Sequence, residues 1–474
     1  MAKKADIVVY GNIYTVDKKQ SRAQAVAISG GMFDYVGEKE GVKDYIGGQT
    51  QVLHFGQGII LPGLGEGHGH VAPGGTETLF TVHLNPYGTR EEHLKAISEF
   101  ARKHPELDVI QGAMDLLKPL TVFSVEQYKE AVLYFQEEYL AHGETLILDP
   151  IINWDSTDNA AEACHQLDLE GKLHMHIFAA YQVFQAQGHN TLAEIEHAAE
   201  LRERSWGPMF RLANIKVQVD GTIGPPPATA YVKEPYSDPW SQEHQHLGQL
   251  RFDLETLTAV YRRSHELGFT VHAHTMADGA LAFALDAMEK AQEQTGPHNY
   301  RDAVTHLQLV DPADISRMAR LGVVAVTDPH WFGMDKGYLD MMAAILGKER
   351  AEAQLPMKSF FDAGVVVTSA SDYPVENPAY PLLGIQKGVT RTVIGQPDTL
   401  HAPAERVTVE QMIEAATLNE AFQLKCEDRL GSITVGKEAD MVVLCEDITT
   451  CDSQHIAESP VLRTMVGGEW VYIN

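Results

Sequence analysis

The chain has 474 residues, 44% hydrophobic and 22% charged, the composition of a soluble globular protein with ample core-forming material. Its 37 Lys and Arg against 65 Asp and Glu leave a net charge of −28. A surface that acidic repels phosphate backbones and anionic lipid, which argues against nucleic-acid and membrane-surface partners.

Cysteine is scarce: Cys164, Cys426, Cys445 and Cys451 form no CxxC pair and are too few for a disulfide framework, against 22 histidines. A reducing, cytoplasmic compartment is expected, and any metal would be held by nitrogen and oxygen. The apolar run at 7–10 is too short for a signal segment, and no stretch of about 18 apolar residues could span a membrane.

In chain order, 5–16, 23–29, 32–36 and 52–61 read as strands, with a Gly30-Gly31 hairpin turn. The end behaves alike, with strands expected at 431–435, 440–445, 461–466 and 469–473 and a second turn at Gly467-Gly468. Neither end can close a core alone, so one small composite β-sandwich built from both is the economical solution.

Between them, apolar strand-like runs at 64–70, 144–152, 173–180, 212–219, 269–274, 302–306, 323–327 and 364–370 alternate with helical stretches. The clearest of those helices are 193–204, 253–267, 278–294, 312–321 and 355–363, and Gly268, Gly322 and Gly364 stand where three of them should stop. Eight strands with interleaved helices predict an α/β fold, a (β/α)8 TIM barrel. A doubly wound open sheet is the competitor, but no GxGxxG fingerprint follows an early strand. The boundaries expected are 1–60 plus 428–474 for the sandwich and 61–427 for the barrel, with 71–143 as an excursion over the barrel mouth.

The strongest local signal is LPGLGEGHGH, ending in His68 and His70. In a strand, residues i and i+2 share a face, so both imidazoles can reach one ion. An HxH pair alone is weak evidence, because His174/His176, His244/His246 and His272/His274 repeat it. Position strengthens the first. Barrel active sites lie at the C-terminal ends of strands, where His68, His70, His274, His306 and Asp372 converge. That donor set suits a divalent transition metal such as zinc.

Six stretches carry a family resemblance: ILPGLGEGHGHVAPGG, IKVQVDGTIGPPPATA, GFTVHAHTMADGALAFALDA, AVTHLQLVDPADISRMARLGV, DAGVVVTSASDYPV and RLGSITVGKEADMVVL. Spread over most of the chain, they resemble the metal-dependent amidohydrolase superfamily, more closely its amidohydrolase-3 (YtcJ-like) branch, of which this would be a shortened member. The resemblance implies a barrel plus composite sandwich. It also implies His68, His70, His274, His306 and Asp372 as metal ligands, with Asp372 doubling as proton shuttle.

Lys216 aligns with the lysine that, where two ions are bound, is carboxylated to bridge them; a salt bridge, perhaps to Asp220, is the alternative. One ion or two, zinc or else manganese or iron, and a monomer or a homo-oligomer all stay open. His272 shares the strand face of His274 and is expected to line the pocket with Trp331 and Tyr373. His330 is a candidate to stabilise an oxyanion, with simple packing as its alternative, and His174 and His176 could back the site from the end of the third strand.

Four departures from the family pattern stand out. Glu66 replaces an aspartate, Ala277 and Gly279 replace a glycine and a basic residue, a serine-arginine loop is rewritten as PPPATA, and a motif between the first two strands is missing.

The implied activity is hydrolysis of a non-peptide C–N bond in a small amide, cyclic amide or related substrate by metal-activated hydroxide, with Asp372 as general base and then general acid. A deaminase of an aminated heterocycle on the same site, and an inactive binding or regulatory relative, are the alternatives.

Overall fold

The computed structural model describes residues 4–19, 21–84, 89–105, 112–113, 122–186, 190–224, 227–296 and 299–474. Eight parallel strands form its central sheet: β1 (Leu64–Glu66), β2 (Glu144–Asp149), β3 (His176–Gln182), β4 (Phe210–Gln218), β5 (Thr270–Thr275), β6 (Ala303–His306), β7 (Val324–Thr327) and β8 (Val367–Ser369). Each pairs with its sequence neighbour. The Gly67 amide donates to the Ser369 carbonyl at 2.9 Å, joining the end of β1 to β8 and closing the ring. All eight expected strands are present, and the fold is a (β/α)8 barrel.

Alternation along β5 shows how the sequence builds it. Val271 and Ala273 lie in the large buried cluster shared with the surrounding helices, so His272 and His274 fall on the opposite face.

The helices end where their caps dictate. Pro312–Leu321 starts at Asp311, whose carboxylate accepts from the Ala313 amide, and stops at Gly322 with φ 69°. Leu254–Glu266 starts at Asp253 in the same way, accepting from Thr256. The stretch expected at 355–363 shortens to Lys358–Asp362: Leu355 has φ 59°, and a proline at 356 bars its predecessor from helical geometry.

Both chain ends enter a second sheet. Its order is Glu469–Ile473, Val461–Val466, Met441–Leu444, Ile59–Pro62, Ile7–Tyr14, Arg22–Ser29, Met32–Gly37, with Gln51–His54 also paired to Ile7–Tyr14. The sheet curls on itself, so Phe33 from one edge and Met465 from near the other share a buried cluster with Val9, Ile13, Val26 and Met441. The two glycine turns meet there. A Cβ on Gly31 (φ 81°) would stand 2.6 Å from the Gly467 carbonyl oxygen, and one on Gly468 (φ 81°) 2.8 Å from the Gly31 Cα. The expected strand at 431–435 does not form; Ile433 instead donates its amide to the Thr15 carbonyl as a single link.

The end of the barrel opposite the histidines is plugged from within. Helix Leu418–Gln423 and the turn after it place Ala421, Leu424, Cys426 and Leu430 against Leu146, Leu148, Phe178 and Ala180. Phe422 packs on Ala303 and Val324, at the starts of β6 and β7.

Of the segment expected to cross the barrel mouth, helices Val71–Phe80, Arg90–Lys103 and Val125–Leu140 are described. Residues 85–88, 106–111 and 114–121 lie outside the described residues, as do Pro225 and Pro226 of the proline-rich loop. Among the described residues, no helix is long and apolar enough to cross a membrane.

Candidate metal centre

The site begins where β1 ends. The strand stops at Glu66, so His68 and His70 follow it in a turn rather than sharing a strand face. They converge all the same: Nε2 of His68 lies 3.3 Å and Nε2 of His70 3.2 Å from Oδ1 of Asp372.

Backbone pairing enforces this. The Asp372 amide donates to the His68 carbonyl and the His70 amide to the Tyr373 carbonyl, both at 2.9 Å. Glu66, the departure from the family aspartate, is the clasp: its Oε1 accepts from the His68 and Ser371 amides, each at 2.9 Å, tying the turn after β1 to the loop after β8.

His306 completes the cluster. One ligand-capable atom each from His68, His306 and Asp372 lies within 4.8 Å of the others, and all three residues are buried. His306 and Asp372 have φ 77° and 57°, left-handed values that non-glycine residues adopt at a cost and that often mark functional sites. His306 is oriented by Asp328, whose Oδ2 stands 3.0 Å from Nδ1, so Nε2 is the nitrogen left for the cluster. Sequence reasoning missed Asp328; its signal was a lone acid just past β7, two residues before His330.

His272 does more than line the pocket: its Nε2 lies 2.7 Å from Nδ1 of His68. For His68 to present Nε2 as a lone pair, its Nδ1–H must donate to His272. His274 points its Nε2 at the Gly221 carbonyl, 2.9 Å away. That nitrogen therefore carries the proton, and Nδ1 is the basic one; the ring centroid lies 4.5 Å from that of His306.

Lys216, on β4 opposite His272 in register, is 2% exposed and has no ion pair among the described residues. The alternative partner, Asp220, is otherwise engaged, accepting from the Tyr231, Met276 and Ala277 amides.

Burial dominates the electrostatics. It lowers the Lys216 ammonium to about 7 against the pull of Asp372 and Asp328. Burial, reinforced by Lys216 and the neighbouring imidazoles, holds His68 and His272 well below the usual histidine range. Burial, then His306 and Lys216 and more weakly Arg251, does the same to His274. Burial pushes the Asp372 carboxyl up, but His306, the bond from His70 and Lys216 outweigh it, leaving it lowered. The result is neutral imidazoles at His68, His272 and His274 beside an ionised Asp372 carboxylate, protonation states suited to a divalent metal site.

Buried atoms without partners among the described residues, Nδ1 of His70 and Oδ1 of Asp328, add to a donor set that fits such an ion.

The remaining expected residues divide. Trp331 stacks on His306 with centroids 5.3 Å apart, and so borders the cluster. Tyr373 is packing: it lies against Phe135 and Tyr139, and its hydroxyl bonds Thr78 at 2.9 Å. His330 has both ring nitrogens against backbone carbonyls, of Ala370 at 3.2 Å and Tyr380 at 3.1 Å, which leaves neither for an oxyanion. His176 opens β3 rather than ending it, with Nε2 3.1 Å from Asp440 at the sandwich side. The His174/His176 pair therefore does not back the site.

Buried histidines and a carboxylate gathered at the C-terminal rim of a (β/α)8 barrel define the class of a barrel hydrolase. Residues 111–472 match the model of the amidohydrolase family, and the chain belongs to that family, an enzyme class acting on carbon–nitrogen bonds.

It is 31% identical over 274 residues to the putative amidohydrolase YtcJ of Bacillus subtilis, a match covering 58% of this chain and about half (49%) of that protein. It is 23% identical to the N-substituted formamide deformylase of Arthrobacter pascens over an alignment of 553 positions, covering 98% of this chain and 97% of that protein. An alignment longer than this chain means that the relative carries segments missing here. An uncharacterized metal-dependent hydrolase from Pyrococcus furiosus superposes with a TM-score of 0.74 at 21% identity, over 94% of this chain and 100% of that one; at that identity the likeness establishes the fold.

Proposed function

We propose that the protein is a divalent-metal-dependent hydrolase that cleaves a non-peptide C–N bond in a small amide or cyclic amide. The observation that carries this reading is the convergence of His68, His306 and Asp372 within 4.8 Å. His68, His70, His274, His306 and Asp372 would hold the ion, with zinc favoured by the nitrogen and oxygen donors over manganese or iron. Lys216, buried and with no ion pair among the described residues, would bridge a second ion as a carbamate; a pKa near 7 leaves enough free amine to take up carbon dioxide.

When bound, the metal lowers the pKa of its water from 15.7 to about 7 and polarises the scissile carbonyl. Asp372, kept ionised by its histidine and lysine neighbours, takes a proton from the attacking water and returns it to the departing nitrogen. His272 and Asp328 hold the proton-bearing nitrogens of His68 and His306, so that each ring keeps one orientation. Trp331 forms a wall of the pocket. The four cysteines, all free, agree with a cytoplasmic location.

The test is removal of metal with a chelator, elemental analysis, and reconstitution with zinc, manganese or iron against a panel of amides, hydantoin-like rings and aminated heterocycles. Metal-restored release of an amine from the amides, or opening of the rings, is the expected result, and release of ammonia from the aminated heterocycles alone would select the deaminase alternative. A protein that takes up none of the three ions would overturn the reading.

A further inference from the structure

A cavity of about 600 Å³ lies between the ends of β3 and β4; Gln218, Gly221, Thr229, Gln249, Leu250 and Arg251 are among its walls. Two of those residues tie it to the centre. Gln218 pairs with His274 in the β4–β5 register, and the Gly221 carbonyl takes the His274 Nε2 bond. Phe184 and Phe252 add apolar wall.

Arg251 is the one charged residue lining this cavity among the described residues. Its main chain is anchored, the amide donating to the Val219 carbonyl at 2.8 Å, while its exposed guanidinium has no ion pair or hydrogen bond among the described residues. The nearest acid in sequence, Asp253, already has its carboxylate accepting from the Gln185 side-chain amide and from the amide and hydroxyl of Thr256 at the helix cap. The side-chain amides of Gln218 and Gln249 are likewise unpartnered among the described residues. In a chain of net charge −28, an anion approaching the barrel mouth is repelled unless a local cation receives it. An unpaired arginine flanked by two free amides is such a receiver, and its fork of N–H donors matches a carboxylate.

We propose that Arg251, assisted by Gln218 and Gln249, anchors a substrate carboxylate, so that the enzyme acts on amides that carry a carboxylate group together with an apolar portion. The apolar portion lies along Phe184, Leu250 and Phe252 while the scissile bond reaches the metal cluster. This rests on the hydrolase reading above; Arg251 is a specificity residue and takes no part in bond cleavage.

Two measurements test it. The first compares turnover of N-acetyl-phenylalanine with that of its neutral carboxamide, in metal-loaded wild-type protein and in Arg251→Met. Wild-type protein should favour the carboxylate by roughly tenfold in kcat/KM, the size of one charge-assisted hydrogen bond at a half-solvated site. Arg251→Met should lose that preference through KM, with kcat and the neutral substrate little changed, and Arg251→Lys should restore part of it.

The second is calorimetric titration with 4-phenylbutyrate and with 4-phenylbutyramide, which needs no turnover. Wild-type protein should bind the carboxylate roughly tenfold more tightly, Arg251→Met should bind the two alike, and added salt should erode the difference. Selective carboxylate binding without turnover of either substrate would count against the hydrolase reading, which metal uptake and the wider panel decide, and leave the anchor standing. Equal binding by wild-type protein, or selectivity that survives in Arg251→Met, would overturn the anchor whatever the turnover.

Discussion

His68 and Asp372 hold each other twice: the Asp372 amide donates to the His68 carbonyl at 2.9 Å, and Oδ1 of Asp372 stands 3.3 Å from Nε2 of His68. One residue follows the first barrel strand and the other the last, so the closure of the barrel and the assembly of the cluster are the same event. Anything that slips the pairing of β1 with β8 therefore takes the site apart.

Replacing Asp372 tests the proton shuttle. Asn tolerates the φ of 57° as well as Asp does, so Asp372→Asn should fold normally. We expect kcat to fall by about 10²- to 10⁴-fold, the usual worth of general acid–base catalysis, with metal content close to wild type by elemental analysis. Undiminished turnover would remove Asp372 from its assigned role.

Asp328→Asn removes the negative charge that orients His306. Outer carboxylates on ligand histidines are worth about 10- to 100-fold in metal affinity. A loss of that size is expected in chelator competition, with the thermal midpoint of the metal-free protein little changed. Equal affinity would mean that His306 is no ligand.

Lys216→Met replaces a buried amine by a side chain of similar length. If Lys216 bridges two ions as a carbamate, the variant should hold fewer metal ions per chain, and bicarbonate should raise metal occupancy in the wild type only. Identical stoichiometry in both proteins counts against the bridge.

Stability should carry a signature of buried carboxyls away from the cluster. Glu144 is fully buried with both oxygens unpartnered among the described residues, and burial, with Glu66 and Glu420 nearby, raises its pKa well above the ordinary 4.5. A raised native pKa means that the folded chain binds more protons than the unfolded chain above pH 4.5. Stability from this group is therefore fully present below 4.5 and falls as pH climbs toward the native value, by up to about 1.4 kcal/mol per pH unit. Glu144→Gln should flatten that part of the profile in urea denaturation of the metal-free protein between pH 5 and 9; an unchanged slope would show that Glu144 ionises normally.

Much of this molecule is legible in local pattern. Leu146, Ile147 and Leu148 announce a strand because a buried parallel strand is apolar on both faces, and 269–274 announces one by alternation, Phe269, Val271 and Ala273 against Thr270, His272 and His274. Pro312–Leu321 announces its helix because Asp311 and Gly322 supply the caps at its two ends. The two glycine turns were visible as hairpins, but that they pack on each other was not, since nothing near Gly31 says that Gly467 lies beside it. Glu66 shows the same limit: in the chain it is a departure from a family pattern, and in the fold it is the clasp between the turns after β1 and β8.

The amino-acid sequence by itself determined the barrel, the joint sheet from the two ends, and the set of histidines and carboxylates available to a metal, because hydrophobic periodicity and residue chemistry are local properties. Only the tertiary structure decided which nitrogen of each ring is free, that His272 supports His68, that Asp328 orients His306, that Tyr373 is packed and His330 bonded to backbone carbonyls, and that Arg251, without an ion pair among the described residues, lines a cavity with Gln218 and Gly221. Those are choices of partner across the barrel, set by strand register and ring closure between residues far apart in the chain, and no local pattern encodes them.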